Sequence, residues 1–232
     1  GAVLVESRRP LPEPLTPADG WIEQDPRLWW EAVVGVLTET VARLRGARVR
    51  ALCVDGTSAS LLLAAPDGEP LTPALLYSDR RALEAASRVD AVAPAESPAR
   101  GPGSSLSKLL HLVEGVTDGR APGRDRLALH QADWIAGRLT GRYGWSDWNN
   151  ALKLGYDAER LAWPEWVLGL VAGAVRLPRV LPPGAILGPL APGLAAKLGL
   201  AADVLVAAGT TDSTAAAIAA GLGRPADAMT CL

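Results

Sequence analysis

Phenylalanine is absent from this chain of 232 residues, which has one methionine, two histidines and two cysteines. With no phenylalanine, tryptophan has to supply most of the aromatic bulk of the core. Trp29, Trp30, Trp163 and Trp166 are accordingly read as core residues. Cys53 and Cys231 lie too far apart to form a metal-ligand spacing, and no disulfide framework suggests itself. Cys53 sits in the apolar run 49–54 and reads as a buried thiol of a reducing compartment. The two histidines, His111 and His130, fall on predicted helices with no evident Ser or Cys partner, so structural or surface roles are expected. A basic stripe is lacking and the net charge is −2, which argues against nucleic acid or an anionic membrane surface as a partner. No apolar run reaches the length that spans a bilayer. The opening Ala2–Val5 run meets Glu6 too soon for a signal peptide, so the cytoplasm is the expected compartment. The G-x-S-x-G, G-x-x-x-x-G-K-[ST] and H-E-x-x-H patterns are all missing, which excludes the common hydrolase, P-loop and zincin arrangements. There is no internal repeat and no low-complexity tract.

Present in quantity are apolar residues, 49% against 21% charged, enough for a sizeable core in one large domain or two small ones. Residues 3–9 read as a strand, followed by a loop in which Pro10, Pro12, Pro14 and Pro17 forbid a sheet interior. Asp25-Pro26 starts a helix, with the aspartate as N-cap and the proline in the first turn, running to about Arg45. Trp30, Val33, Val34, Leu37, Val41 and Leu44 share one face of it. Three strands follow: a buried one over 49–55 broken by Gly56-Thr57, then 60–65, a turn at Pro66-Asp67-Gly68-Glu69, and 71–77. Helices are expected over 80–89, 105–113 and 129–139, the last stopped at Thr140-Gly141. Residues 91–103 read as a loop, 143–156 as an irregular aromatic segment and 177–189 as a proline-rich connector. A small helix over 192–198 leads into a closing strand, turn and helix. This order argues for a mixed α/β sheet. The chain opens without methionine inside an expected strand and closes on the apolar Ala228-Met229-Thr230-Cys231-Leu232, so it is read as part of a longer chain.

The most informative stretch is Ala207-Ala208-Gly209-Thr210-Thr211-Asp212-Ser213, after the apolar Val204-Leu205-Val206 and before an alanine-rich helix. A strand is expected to end there, Gly209 to let the backbone turn, and a helix to start at Asp212-Ser213. A carboxylate at such a junction faces unpaired backbone N–H groups and suits a base that orients an attacking hydroxyl. Simple helix capping by Asp212 or Ser213 is the competing interpretation. Asp55-Gly56-Thr57-Ser58 ends another apolar strand in the same manner, and its hydroxyls and amides are able to hold a ligand oxygen, although such a turn is also common in hairpins. Two hydroxyl-rich turns at strand ends of one sheet can converge on one crevice. Thr57, Ser58 and Thr211 are therefore candidate ligand contacts. Asp79, in Asp79-Arg80-Arg81, suits either hydrogen bonds to a polyol or the N-cap of the next helix. Asp147, Asn149, Asn150 and Lys153, beside Trp145 and Trp148, have the make-up of a carbohydrate site, against the alternative that these tryptophans are core.

The order of these motifs resembles that of the FGGY carbohydrate kinases. Gly20-Trp21-Ile22-Glu23-Gln24-Asp25-Pro26 with Trp29-Trp30 is similar to a segment near the start of that family, and Asp55-Gly56-Thr57-Ser58, Asp79-Arg80-Arg81-Ala82, Leu139-Thr140-Gly141 and Gly209-Thr210-Thr211-Asp212 follow in its order. The segments 104–109, 131–134 and 149–156 look most like the plant and cyanobacterial D-ribulose kinase branch. Typical xylulokinases carry a Q-M-H-G-type segment where Ser58 stands here. The resemblance implies an actin-like, ribonuclease H-like fold and ATP-dependent, Mg2+-assisted phosphorylation of a small-molecule sugar. It matches Asp212 to the family's catalytic base, Ser58 to a sugar contact, and Asp79 to a segment near the sugar. It also implies that the D-x-G-T strand and the nucleotide-holding second domain lie outside residues 1–232. A non-catalytic sugar-binding or scaffold protein with the same core is the alternative. The sequence leaves the oligomeric state open.

Overall fold

A computed structural model describes residues 2–116, 125–224 and 227. The closing segment 228–232, with Cys231, lies outside the described residues. The elements are β1 (Glu23–Gln24), α1 (Pro26–Arg43), β2 (Ala51–Gly56), β3 (Leu61–Ala64), β4 (Ala74–Leu75), α2 (Leu83–Val92), α3 (Ser105–Gly115), β5 (Leu127–His130) and α4 (Gln131–Thr140). Then come β6 (Trp145–Asp147), α5 (Trp148–Ala151), α6 (Glu165–Val171), β7 (Arg179–Leu181), β8 (Ile186–Pro189), α7 (Pro192–Leu198), β9 (Leu205–Thr211) and α8 (Asp212–Ala219).

Strand β3 explains the layering. Side chains alternate across a strand, and β3 is fully buried on both faces. Leu61 and Leu63 point into one core with Leu106 and Leu109 of α3 and Val89 of α2. Leu62 and Ala64 point into a second core with Trp134 and Leu139 of α4 and Trp29 of α1. The sheet that contains β3, in order β1-β4-β3-β5, thus has helices on both faces. Beside it stands a second sheet in order β2-β9-β8, whose Val206 belongs to the core under α4. The pair β6-β7 completes the mixed α/β architecture.

Helix α1 begins as expected: the Asp25 carboxylate accepts the Arg27 N–H at 2.9 Å and Pro26 occupies the first turn. Trp29 of that helix is buried, and Trp30, Trp163 and Trp166 pack partly buried against the two cores. Several expectations are corrected. Residues 3–9 form no strand, and Val3 and Leu4 stand exposed, because nothing among the described residues pairs with them. β2 is not a buried strand: alternate residues Ala51, Cys53 and Asp55 are exposed, so Cys53 is not a core thiol. Residues 127–130 form a strand paired with β3, where a helix is expected from 129. The connector 177–189 contains β7 and β8, and α6 is an addition.

Candidate active site

The two hydroxyl-rich turns meet because β2 and β9 are parallel neighbours. Gly56 is the register partner of Thr211 and Asp55 of Thr210. Adjacent strands lie about 4.8 Å apart, so the chain leaves β2 at Thr57-Ser58 beside the place where it leaves β9 at Asp212. Gly209 lies inside β9, at the irregularity where the register against β2 shifts between Cys53 and Asp55, and not in a turn. A Cβ there would sit 1.8 Å from the Val54 carbonyl oxygen, so only glycine lets β9 approach β2 so closely. At the end of β2, a Cβ on Gly56 would stand 2.9 Å from the Ala132 backbone nitrogen. The missing side chain lets the first turn of α4 press on the strand end.

That contact brings Gln131 to the turn. Its Oε1 accepts the Thr57 N–H at 3.0 Å and the Thr57 hydroxyl at 3.1 Å. The Thr57 and Ser60 hydroxyls lie 2.5 Å apart, and Ser60 Oγ also accepts the Tyr77 N–H at 3.1 Å. Thr57 is therefore a held residue. Ser58, half-buried, has no hydrogen-bond partner for its hydroxyl among the described residues.

Asp212 is exposed at the first position of α8. Its Oδ1 accepts the Ser213 N–H at 2.7 Å. The N-cap is Thr211, whose buried hydroxyl accepts the Thr214 N–H and lies 2.8 Å from the Thr214 hydroxyl. Capping thus falls to Thr211, and the Asp212 carboxylate is left facing solvent. Beside it stands Asp55. Partial withdrawal from water lifts the Asp55 carboxyl above the usual range, the Asp212 charge pushes the same way, and a backbone hydrogen bond from Thr210 works against both.

Asp79 is placed differently from the polyol contact or helix cap the sequence suggests. It is fully buried and accepts the Ile22 N–H at 2.6 Å, the Arg81 backbone N–H at 3.1 Å and the Arg81 Nε–H at 2.9 Å. Arg81 also pairs with Glu23 at 2.8 Å and lies over the Trp21 ring. The carboxylate is used up in locking the Gly20–Glu23 segment to the β4 exit, and the N-cap position of α2 falls to Ala82, which makes no side-chain capping bond.

The aromatic segment also braces the site from within. Asp147 and Asn150 are buried, Asp147 caps α5 through the Asn149 and Asn150 N–H groups, and Asn150 Nδ2 donates to it at 2.6 Å. Burial first, then the Asp133 charge, raises the Asp147 carboxyl. Asn149 reaches across to donate to the Thr210 hydroxyl at 2.8 Å, fixing the end of β9. His130 does have a serine partner: its ring lies 3.0 Å from Ser105 Oγ and, on the other side, 3.0 Å from Asp133. All three are buried, so this chain ties α3 to α4 and presents no nucleophile. Asp55, Gln131 and Lys108 are the residues near the turns that sequence reasoning passes over. Their only signal is position, at the end of an apolar strand, at a helix start and in the Ser104–Leu109 segment.

Residues 1–219 match the FGGY family of carbohydrate kinases, N-terminal domain. A xylulose kinase of Streptomyces coelicolor is 35% identical over 213 residues, 88% of this chain and 42% of that protein. A glycerol kinase of Symbiobacterium thermophilum is 30% identical over 98% of this chain and 47% of its own length. Among solved structures, a xylulose kinase from Rhodospirillum rubrum superposes with a TM-score of 0.80 at 26% identity, over 94% of this chain and 46% of that one. The fold is the actin-like one of these kinases. The chain spans less than half the length of these relatives.

Proposed function

The chain belongs to the FGGY family of carbohydrate kinases, and from that premise we propose that its protein phosphorylates a pentulose hydroxyl with ATP, with Asp212 as the base. One observation carries this. The Asp212 carboxylate stands exposed at a strand end, relieved of capping by Thr211, beside a turn where Ser58 offers a hydroxyl with no hydrogen-bond partner among the described residues. In this reading Ser58 holds a sugar hydroxyl, and Thr57 and Thr211 shape the crevice. Asp79 supports it indirectly, from the interior. Asp212 takes the proton as the sugar oxygen attacks the terminal phosphorus of ATP and ADP leaves.

ATP with Mg2+ supplies the phosphoryl group and neutralises its charge. Among the described residues no group of three or more His, Cys, Asp or Glu is arranged to hold a metal. A Mg2+ held mainly by phosphate oxygens asks for only one or two protein carboxylates, and Asp55 fits that need while Asp212 is kept for the proton. We place the adenosine contacts in the part of the protein outside this chain, and the protein itself in the cytoplasm, where ATP is supplied. Among the described residues no helix is long and apolar enough to cross a membrane.

D-ribulose is the preferred acceptor, because the Asp55-Gly56-Thr57-Ser58 turn replaces the segment found in typical xylulokinases. Comparing D-ribulose, D-xylulose and glycerol as acceptors for the full-length protein tests this choice. In the same protein, Asp212→Asn is expected to lower turnover by about 100- to 10,000-fold, the usual contribution of a general base, with sugar affinity little changed. Turnover close to wild type would remove Asp212 from the chemistry.

A further inference from the structure

Against the Thr57-Ser58 turn lies a basic side chain that the proposed phosphoryl transfer does not use. Lys108, in the second turn of α3, is fully buried. Its Nζ donates to the backbone carbonyls of Leu76 at 2.6 Å, Ala59 at 2.9 Å and Tyr77 at 3.3 Å. An ammonium has three N–H donors, and all three are occupied. The acceptors come from two separate segments. Ala59 directly follows Ser58, while Leu76 and Tyr77 form the exit of β4. Ala59 has a φ of 65°, a left-handed conformation that a residue with a Cβ seldom adopts, so its surroundings must hold it there. Gln131 grips the same turn from its other side through Thr57. Tyr77, whose carbonyl Lys108 takes, keeps its own side chain largely exposed.

Packing alone does not ask for a lysine in this place. Burying an ammonium is costly unless its hydrogen bonds are filled, and a methionine would occupy similar volume without that cost. What the amino group adds, as a hydrogen-bond donor whether protonated or neutral, is a tie between the two loops.

We propose that Lys108 is a positioning residue of the sugar site, clamping the Ser58-Ala59 turn to the Leu76-Tyr77 segment so that the Ser58 hydroxyl and the Tyr77 side chain face the acceptor sugar in a fixed relation. The proposal rests on the assignment of Ser58 as a sugar contact. Its test is Lys108→Met in the full-length protein, read by steady-state kinetics and by hydrogen exchange. The KM for sugar is expected to rise about ten- to a hundredfold, the scale of effect that a small misplacement of a binding group produces, with the KM for ATP unchanged. Exchange should quicken in peptides covering 57–60 and 76–79 while β9 and α4 keep their protection. Exchange that rises everywhere together, or a sugar KM that stays at the wild-type value, would overturn the clamp and leave Lys108 a stability residue.

If Lys108→Met does not fold, Lys108→Gln, shorter and with two N–H donors in place of three, weakens the same tie while keeping a polar group in the pocket. It should quicken exchange at 57–60 and raise the sugar KM, and no change in either would count against the clamp. If the wild-type protein phosphorylates none of the sugars tried, the proposed function fails on its own. The exchange pattern then still decides whether Lys108 ties the two loops.

Discussion

At Gly209 a single hydrogen stands where any other residue would drive a carbon into the Val54 carbonyl, 1.8 Å away. The obstacle is backbone, which cannot swing aside as a side chain could. Gly209→Ala is therefore expected to cost about 3 kcal/mol, the upper range for overpacking, in urea unfolding. A loss below about 0.5 kcal/mol, the range of indifferent surface changes, would show that the two strands are not so tightly joined. Lys108 makes a prediction of opposite character. Burial draws it down to about 7 from an ordinary 10.5, with Asp79 opposing and Lys153, Arg81 and Arg80 adding to the fall. Between those two values the unfolded chain holds more protons at this site than the folded one, so stability rises with pH across that window and is lowest below it. The difference in unfolding free energy between wild type and Lys108→Met should shift in favour of wild type as pH rises from 7 towards 10.5. A pH-independent difference would mean that the folded lysine titrates normally. Both residues show what sequence cannot convey. Gly209 looks like a turn glycine because the strand that crowds it lies some 150 residues earlier. Lys108 looks like an ordinary helix lysine because all three of its acceptors are main-chain oxygens from other elements.

Elements whose signals are local were legible, and those made by pairing were not. Asp25-Pro26 announces α1, and Pro192 and Gly199 bracket α7 as expected. Gly141, in the left-handed conformation, stops α4 where the sequence places the stop. Strand β5 has only four residues and runs straight into α4, so its apolar side chains merge with a helical pattern until β3 is there to pair with it. Strands β7 and β8 hide among prolines for the same reason: each is a short segment made a strand by a partner distant in sequence. The start of α8 falls where the sequence places it, and the capping that the competing interpretation offered to Asp212 or Ser213 falls to Thr211. Thr211 accepts the Thr214 N–H, which frees the neighbouring carboxylate. Thr211→Ala is thus expected to lower stability by about 1 kcal/mol, as loss of an N-cap usually does, whereas Asp212→Asn should leave the thermal midpoint nearly unaltered. Equal losses from both would return Asp212 to a capping role and weaken its assignment as the base.

On the scale of the whole molecule, the site faces outward. Asp212 and Asp55 are exposed, Ser58 is half-buried, and none of the residues of α8 is buried among the described ones, with Ile218 standing 63% exposed. A phosphoryl-transfer site works by excluding water and fixing donor against acceptor, and under the proposed function these residues provide the acceptor wall. Matched relatives are more than twice as long as this chain, which leaves room for the opposing wall in the rest of the protein. Residues 1–232 expressed alone are therefore expected to bind pentulose weakly at best, through Ser58 and Asp212, and to show no ATP-dependent phosphorylation in a coupled ADP-release assay. The exposed apolar residues of α8 should also make the isolated chain associate as its concentration rises, visible as a growing hydrodynamic radius. If the isolated chain turned over ribulose and ATP at about 1–100 per second, the range of ordinary kinases, a complete nucleotide site would have to exist within these residues, and the division of labour proposed here would be wrong.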